Sequence, residues 1–237
     1  MIVSIHQPLY LPWQPYFGKI ACSDFFIFLD DVQYPQGKGF FNRNIIRGVN
    51  GPIVLTAPVT GRSDRPLVKD IRLVSSSEWQ SSHWRSITLN YAKSPFFAAY
   101  SSAFEDIYLK NKWEYLSDLN YALICKVAEL LKFKTRFFWA SKIPTEHNTG
   151  TNRLIELVSH VEGGKYLSGS GEGSMRYMDV QQYSQAGIQV LSHTYVQIPY
   201  RQRWREFLPD TSILDLIFNC GPQSTEIISN CSTILPV

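Results

Sequence analysis

The sequence predicts an α/β fold: a mostly parallel, Rossmann-like sheet interrupted by a β-hairpin and a helical insertion. Two short apolar runs, residues 2–5 and 25–29, have the composition of strands that a parallel sheet buries on both faces. Between them lies one short helical stretch. Beyond residue 133 the chain returns to the same alternation of short strands and helices, which places the interruption in the middle of the sheet's sequence.

The first helix is expected over 16–22, with Pro12 and Pro15 where a helix start tolerates proline. Strand, helix and strand together make a unit of about 30 residues, the size of a βαβ crossover. A β-rich excursion spans 40–75. In it 40–47 and 53–59 flank the connection Gly48-Val49-Asn50-Gly51, and 67–74 pairs as a third strand. A helical insertion of about three helices spans 78–133, marked by Trp79, Trp84 and Ile87, then Leu116, Leu123 and Leu130 at helical spacing. Strand 136–140, helix 152–162, strand 166–168, helix 180–186 and strand 189–192 follow. Gly163-Gly164 and Gly187 serve as stops. A last helix over 213–219 starts at Ser212, with Asp210 as a competing start. All 237 residues are expected to form a single domain.

With 44% hydrophobic residues and a formal charge of +3, the composition is that of a globular chain with no general affinity for nucleic acid. The densest basic cluster, Arg201, Arg203 and Arg205 around Trp204, reads more readily as a solvated strand edge than as an anion site. No membrane insertion is expected, because the most apolar helical stretch, 121–133, is broken by Lys126, Glu129 and Lys132. Residues 1–10 read as a strand rather than a secretory signal. The four cysteines lack CxxC spacing, so reduced thiols and a cytoplasmic location are expected.

In an open parallel sheet, ligands collect beyond the carboxyl ends of the strands, where the strand order reverses. His6 and Gln7 follow the first strand. His6 is a candidate general base, weighed against a histidine that merely ties down the loop 8–15. Asp30 and Asp31 follow the second strand. Adjacent residues of an extended chain point to opposite faces, so one is expected to be functional and the other structural, with the choice open, against the alternative that both simply terminate the strand. Asn42, Arg43 and Asn44 put polarity on a strand, suited to an arginine fork on phosphate flanked by amides reading sugar hydroxyls, or else to a solvent-facing edge. The glycine-rich segment 167–173, with Ser168, Gly169 and Ser170 at its start, lets backbone amides approach a phosphate or forms a gating loop. Tyr195, Tyr200 and Gln202 follow the last strand and offer faces to stack on a base or sugar, or else are ordinary loop residues. His83, His147, His160 and His193 lack HxH or HxxxH spacing, so no metal site is expected.

Taken in order, His6-Gln7-Pro8 with Tyr10-Leu11-Pro12-Trp13, Asp30-Asp31-Val32-Gln33-Tyr34, Asn42-Arg43-Asn44, Tyr166-Leu167-Ser168-Gly169 and Ser212-Ile213-Leu214-Asp215 resemble the WbqC-like family over almost the whole chain. The family is associated with lipopolysaccharide and O-antigen gene clusters. Carried onto these positions, the resemblance implies a bacterial protein of surface-polysaccharide assembly, with Gln7, Tyr10, Trp13 and Gln33 among the substrate-binding residues. One departure is Pro15, where the family is often glycine-rich before the aromatic pair Tyr16-Phe17. A looser similarity to nucleotidyl-transfer folds fails at the HxGH turn, since Leu11-Pro12-Trp13-Gln14-Pro15 contains neither histidine.

The expected function is a transferase joining an acyl or aminoacyl group to the amine of a nucleotide-linked amino sugar. An amine is itself the nucleophile, so no catalytic serine or cysteine is required. The donor is left open among a thioester, an aminoacyl-tRNA and an acid activated by ATP, and the cofactor is unknown. The alternatives are a non-catalytic sugar-nucleotide-binding or scaffold protein and a glycosyltransferase, the latter weakened by the lack of a clear DxD motif.

Overall fold

A computed structural model of the chain describes residues 1–35, 39–61, 65–171 and 178–237. Its centre is a six-stranded sheet. The strands are β1 (Ile2–His6), β2 (Phe25–Phe28), β7 (Arg136–Trp139), β8 (Lys165–Gly169), β9 (Gln189–Tyr195) and β10 (Ser232–Pro236), in the order β10-β9-β8-β1-β2-β7. All neighbours are parallel except β9 and β10. The expected mixed α/β fold with a mostly parallel sheet is therefore the observed one.

Alternation along the two central strands explains why both faces of the sheet are covered. Phe26 and Phe28 join one apolar cluster with Phe17, whereas Phe25 and Ile27 join another with Val3 and Ile5. Helix α1 (Gln14–Ala21) packs on the first face. Helices α5 (Gly150–His160) and α6 (Val180–Gln185) follow β7 and β8, and Leu157 of α5 and Tyr183 of α6 belong to the second cluster. The Asp179 carboxylate caps α6 through the amides of Gln181 and Gln182, and Gly187, with φ +73°, turns the chain out of it.

Between β2 and β7 run the hairpin strands β3 (Arg43–Gly48) and β4 (Gly51–Thr56), then β5 (Val59–Thr60) and β6 (Arg72–Leu73). They are followed by helices α2 (Glu78–Tyr91), α3 (Phe97–Glu105) and α4 (Leu116–Leu130). The hairpin turns through Gly48-Val49-Asn50-Gly51 as expected. The third strand at 67–74 is corrected. Only Arg72 and Leu73 form a strand, and they pair with β5 rather than with the hairpin. The reason lies in backbone bonding. Lys69 N–H donates to Asp30 O at 2.7 Å, Val68 N–H to Val32 O at 2.9 Å and Tyr34 N–H to Pro66 O at 2.8 Å, so this segment pairs with the loop leaving β2.

Helix α7 (Ile213–Cys220) begins at Ser212, whose hydroxyl accepts from Leu214 N–H, so the competing start at Asp210 is not used. Beyond the expected elements lie helix α8 (Ser224–Cys231) and the antiparallel strand β10, which the chain enters directly from α8.

A cationic crevice where the strand order reverses

From β1 the chain proceeds to β2 and β7 on one side, and it later adds β8 and β9 on the other. The order thus reverses between β1 and β8. Beyond their carboxyl ends lies a crevice of about 410 Å³. His6 enters it from β1, and Trp13, Tyr16 and Lys19 enter from α1 and its approach. Gly169, Ser170 and Gly171 close the end of β8, and His193 and Tyr195 line the wall formed by β9. The rule that ligands gather at this reversal thus selects the place that the fold leaves open.

Gly18 lets α1 lie against β9. A Cβ at this position would stand 2.6 Å from Ser232 Oγ, 2.9 Å from Tyr195 Cδ2 and 3.1 Å from His193 Nε2. This approach sets Lys19 beside both histidines. Lys19 is 7% exposed, and its ammonium donates to Ile5 O at 3.2 Å. Burial lowers its pKa from the ordinary 10.5 to about 8. His6 Nδ1 donates to Gln7 O at 3.0 Å, which leaves Nε2 as the lone-pair nitrogen. Burial first, and the charge of Lys19 second, push His6 to about 4; its bond to Gln7 opposes the shift. The edge-on ring of Tyr16 packs at 5.1 Å from His6, and the Tyr16 hydroxyl donates to the same Gln7 oxygen.

Ser232 Oγ spends its proton on Ile228 O, so His193 Nε2 is the donor in their 3.2 Å bond. Burial and then Lys19 lower His193 to about 4 as well. At neutral pH the crevice therefore holds two uncharged imidazoles and one lysine poised to gain or lose a proton. No carboxylate is found among the described lining residues. Such a wall attracts an anion.

A relay of side chains braces the β9 wall. Tyr195 donates to Gln14 Oε1 at 2.9 Å, Gln14 Nε2 to Tyr200 Oη at 3.4 Å, and Tyr200 to Asp215 Oδ1 at 2.8 Å. Tyr91 of the insertion donates to Asp215 Oδ2 at 2.9 Å. Burial raises the Asp215 carboxyl, and the two tyrosine hydroxyls oppose that shift. At the crevice mouth Trp13 stacks on Phe40, with ring centres 6.4 Å apart.

The structure thus gathers His6, Trp13, Gly169, Ser170 and Tyr195 from the residues singled out in the sequence. Ser168 is fully buried just below them, with its hydroxyl on Gly169 O. Residues 172 and 173 of the glycine-rich segment lie outside the described residues. Lys19 and His193 were not foreseen as site residues.

The remaining candidates lie elsewhere. Asp30 accepts from Ser141 N–H at 2.9 Å and from the Ser141 hydroxyl at 2.6 Å, bracing the turn after β7. Asp31 pairs at 2.5 Å with the buried Arg153 of α5. The two carboxylates diverge as expected, and both hold structural partners. Asn42 Nδ2 donates to Ala57 O at 2.9 Å. Asn44 Nδ2 donates to Leu11 O at 2.7 Å and to Tyr10 O at 3.3 Å, clamping a turn in which the buried Leu11 has φ +43°. Arg43 is half-buried at the start of β3. Tyr10 is fully buried and hydrogen-bonded with Tyr108 and His83. Gln7 lines a separate apolar pocket with Leu29 and Leu154. Gln33 is exposed and its backbone bridges to Leu67. Gln202 closes its own loop by donating to Leu208 O and accepting from Leu208 N–H.

Among the described residues no helix is long and apolar enough to cross a membrane. None of them forms a group of three or more histidine, cysteine or acidic side chains fit to hold a metal ion. All four cysteines are free thiols, two of them buried.

Fold and crevice together define an α/β protein with a cationic crevice at the reversal of a parallel sheet. The chain belongs to the WbqC-like protein family, which matches residues 7–227. It is similar to a Mycobacterium tuberculosis (strain ATCC 25618 / H37Rv) protein described as uncharacterized protein Rv1507c. The two are 33% identical over 233 residues, or 97% of this chain and 98% of that one. No solved structure matches.

Proposed function

We propose that the chain is a cytoplasmic transferase that joins an acyl or aminoacyl group to the amine of a nucleotide-linked amino sugar in O-antigen or lipopolysaccharide assembly. The observation that carries this reading is the crevice, with no carboxylate among its described lining residues, in which burial first and Lys19 second lower two neighbouring imidazoles. The nucleotide's phosphates suit Lys19 and the backbone of Gly169 to Gly171, while Trp13 offers a face to a base or sugar.

The same positive, poorly hydrated surroundings that lower His6 also disfavour an ammonium, so a bound amino sugar sheds its proton to solvent and presents a free amine. His6 Nε2 then accepts a hydrogen bond from that amine and aims its lone pair. As the C–N bond forms, the nitrogen becomes acidic and His6 takes its proton, while the donor's leaving group departs with the electrons of the broken acyl bond.

A second reading, a sugar-nucleotide-binding scaffold, draws support from Asp30 and Asp31, the two candidate catalytic carboxylates, which are bonded to Ser141 and Arg153 instead of lining the crevice. Mass spectrometry separates the two. Nucleotide-linked 3-amino and 4-amino deoxysugars are incubated with the protein and a panel of donors, including glycine with ATP. The transferase reading expects a mass gain equal to amide formation, lost in His6→Asn. Binding with every substrate left intact across the panel would overturn it.

A further inference from the structure

We propose a second binding site, for a small phosphate-bearing ligand, in the pocket walled by Lys93, Arg201 and Arg203. The loop that carries the two arginines is not the solvated strand edge its composition suggests. Gln202 ties it to Leu208 through both ends of its amide, and Arg47 Nη2 donates to Arg205 O at 2.6 Å and to Glu206 O at 3.1 Å. Folded in this way, Arg201 and Arg203 face Lys93 and Asn219 across a cavity of about 270 Å³. This cavity shares no lining residue with the crevice, and no acidic side chain is among its described lining residues.

The Arg203 guanidinium lies over the Trp204 ring at 4.4 Å, and Asn219 donates through Nδ2 to Asp215 O at 2.7 Å, so both residues are held from outside the pocket. Three cationic side chains with no acidic side chain among the described lining residues suit a phosphate group, whose charged oxygens an arginine fork and an ammonium both bind. Lys93 and Arg201, both exposed, add charge at the rim.

The test is calorimetric titration of the full chain with inorganic phosphate. Lys93→Met combined with Arg201→Gln changes only exposed side chains and leaves the fold intact. The wild-type chain is expected to bind phosphate at this pocket. The double variant loses that event, and the crevice variant Lys19→Met retains it. Unchanged affinity and stoichiometry in the double variant, or the absence of any phosphate binding that survives Lys19→Met, would overturn the proposal. Neither result bears on amide formation in the crevice, so the two readings fail separately.

Discussion

Gly18 faces His193 so closely that a single methyl group on its α-carbon would stand 3.1 Å from the imidazole Nε2. Helix α1 and strand β9 meet there, and Lys19, the next residue, is buried by that contact. Gly18→Ala must push α1 away from Tyr195 and Ser232 as well. It is expected to cost about 1–3 kcal/mol of stability, as overpacking does, and to weaken sugar-nucleotide binding. Urea unfolding and a binding titration on the same variant would show both changes; a wild-type Kd would mean that the crevice does not depend on this approach.

Lys19 offers the opposite trade. Below pH 8 the folded chain bears the cost of a buried ammonium, and between pH 8 and the ordinary 10.5 the unfolded chain holds a proton that the folded chain releases. The Lys19 contribution therefore becomes less unfavourable as pH rises through that window. Lys19→Met is expected to raise stability at pH 7 by about 1–3 kcal/mol while reducing anion binding in the crevice. Denaturation midpoints at pH 7 and pH 10 should show the gain shrinking at the higher pH.

At the acid end, His6, His83 and His193 are each lowered by burial from 6.5 to about 4. Across that interval the unfolded chain binds protons that the folded chain refuses, so stability falls as pH drops from 6.5 to 4. The total loss is on the order of several kcal/mol. Chemical denaturation at successive pH values measures it, and a flat profile would mean that these rings are not buried as described.

Arg153 and Asp31 form an ion pair with little exposure on either side, 6% and 17%. Removing only the cation strands the carboxylate. Arg153→Leu is expected to destabilise by about 3–5 kcal/mol, whereas Arg153→Leu with Asp31→Leu recovers much of that loss. A double-mutant cycle on thermal unfolding reads the coupling directly.

Asn44→Ala removes the two bonds that clamp the turn at Tyr10 and Leu11. The left-handed Leu11 loses its brace and two buried carbonyls lose a donor, for a cost of about 1–3 kcal/mol. Far-ultraviolet circular dichroism during heating would register the lower midpoint.

The sheet was legible because its strands are short, apolar and bounded: β1 and β2 announce themselves in Ile2 to Ile5 and Phe25 to Leu29. The reversal rule then led to His6, Gly169 and Ser170 without any contact being known. Lys19 was not legible, since a lone lysine in an eight-residue helix looks solvent-facing until Gly18 is seen to press that helix onto β9. His193 sits inside a strand rather than at its end, and only the partners of β9 give it a role. Asn42 and Asn44 carried the right polarity with the wrong destination. Their amides meet backbone carbonyls from residues 15 and 33–34 positions away, which composition does not reveal.

The antiparallel β10 also governs the order of assembly. It supplies Ser232 to His193, and it follows every other strand along the chain. During synthesis, β1 and α1 leave the ribosome well before β8, β9 and β10 exist. Until those strands arrive, the β9-facing side of α1 is open to water and Lys19 is hydrated. The β9 wall of the crevice is thus finished only when β10 pairs with β9, making closure of the crevice a late event in the life of the nascent chain.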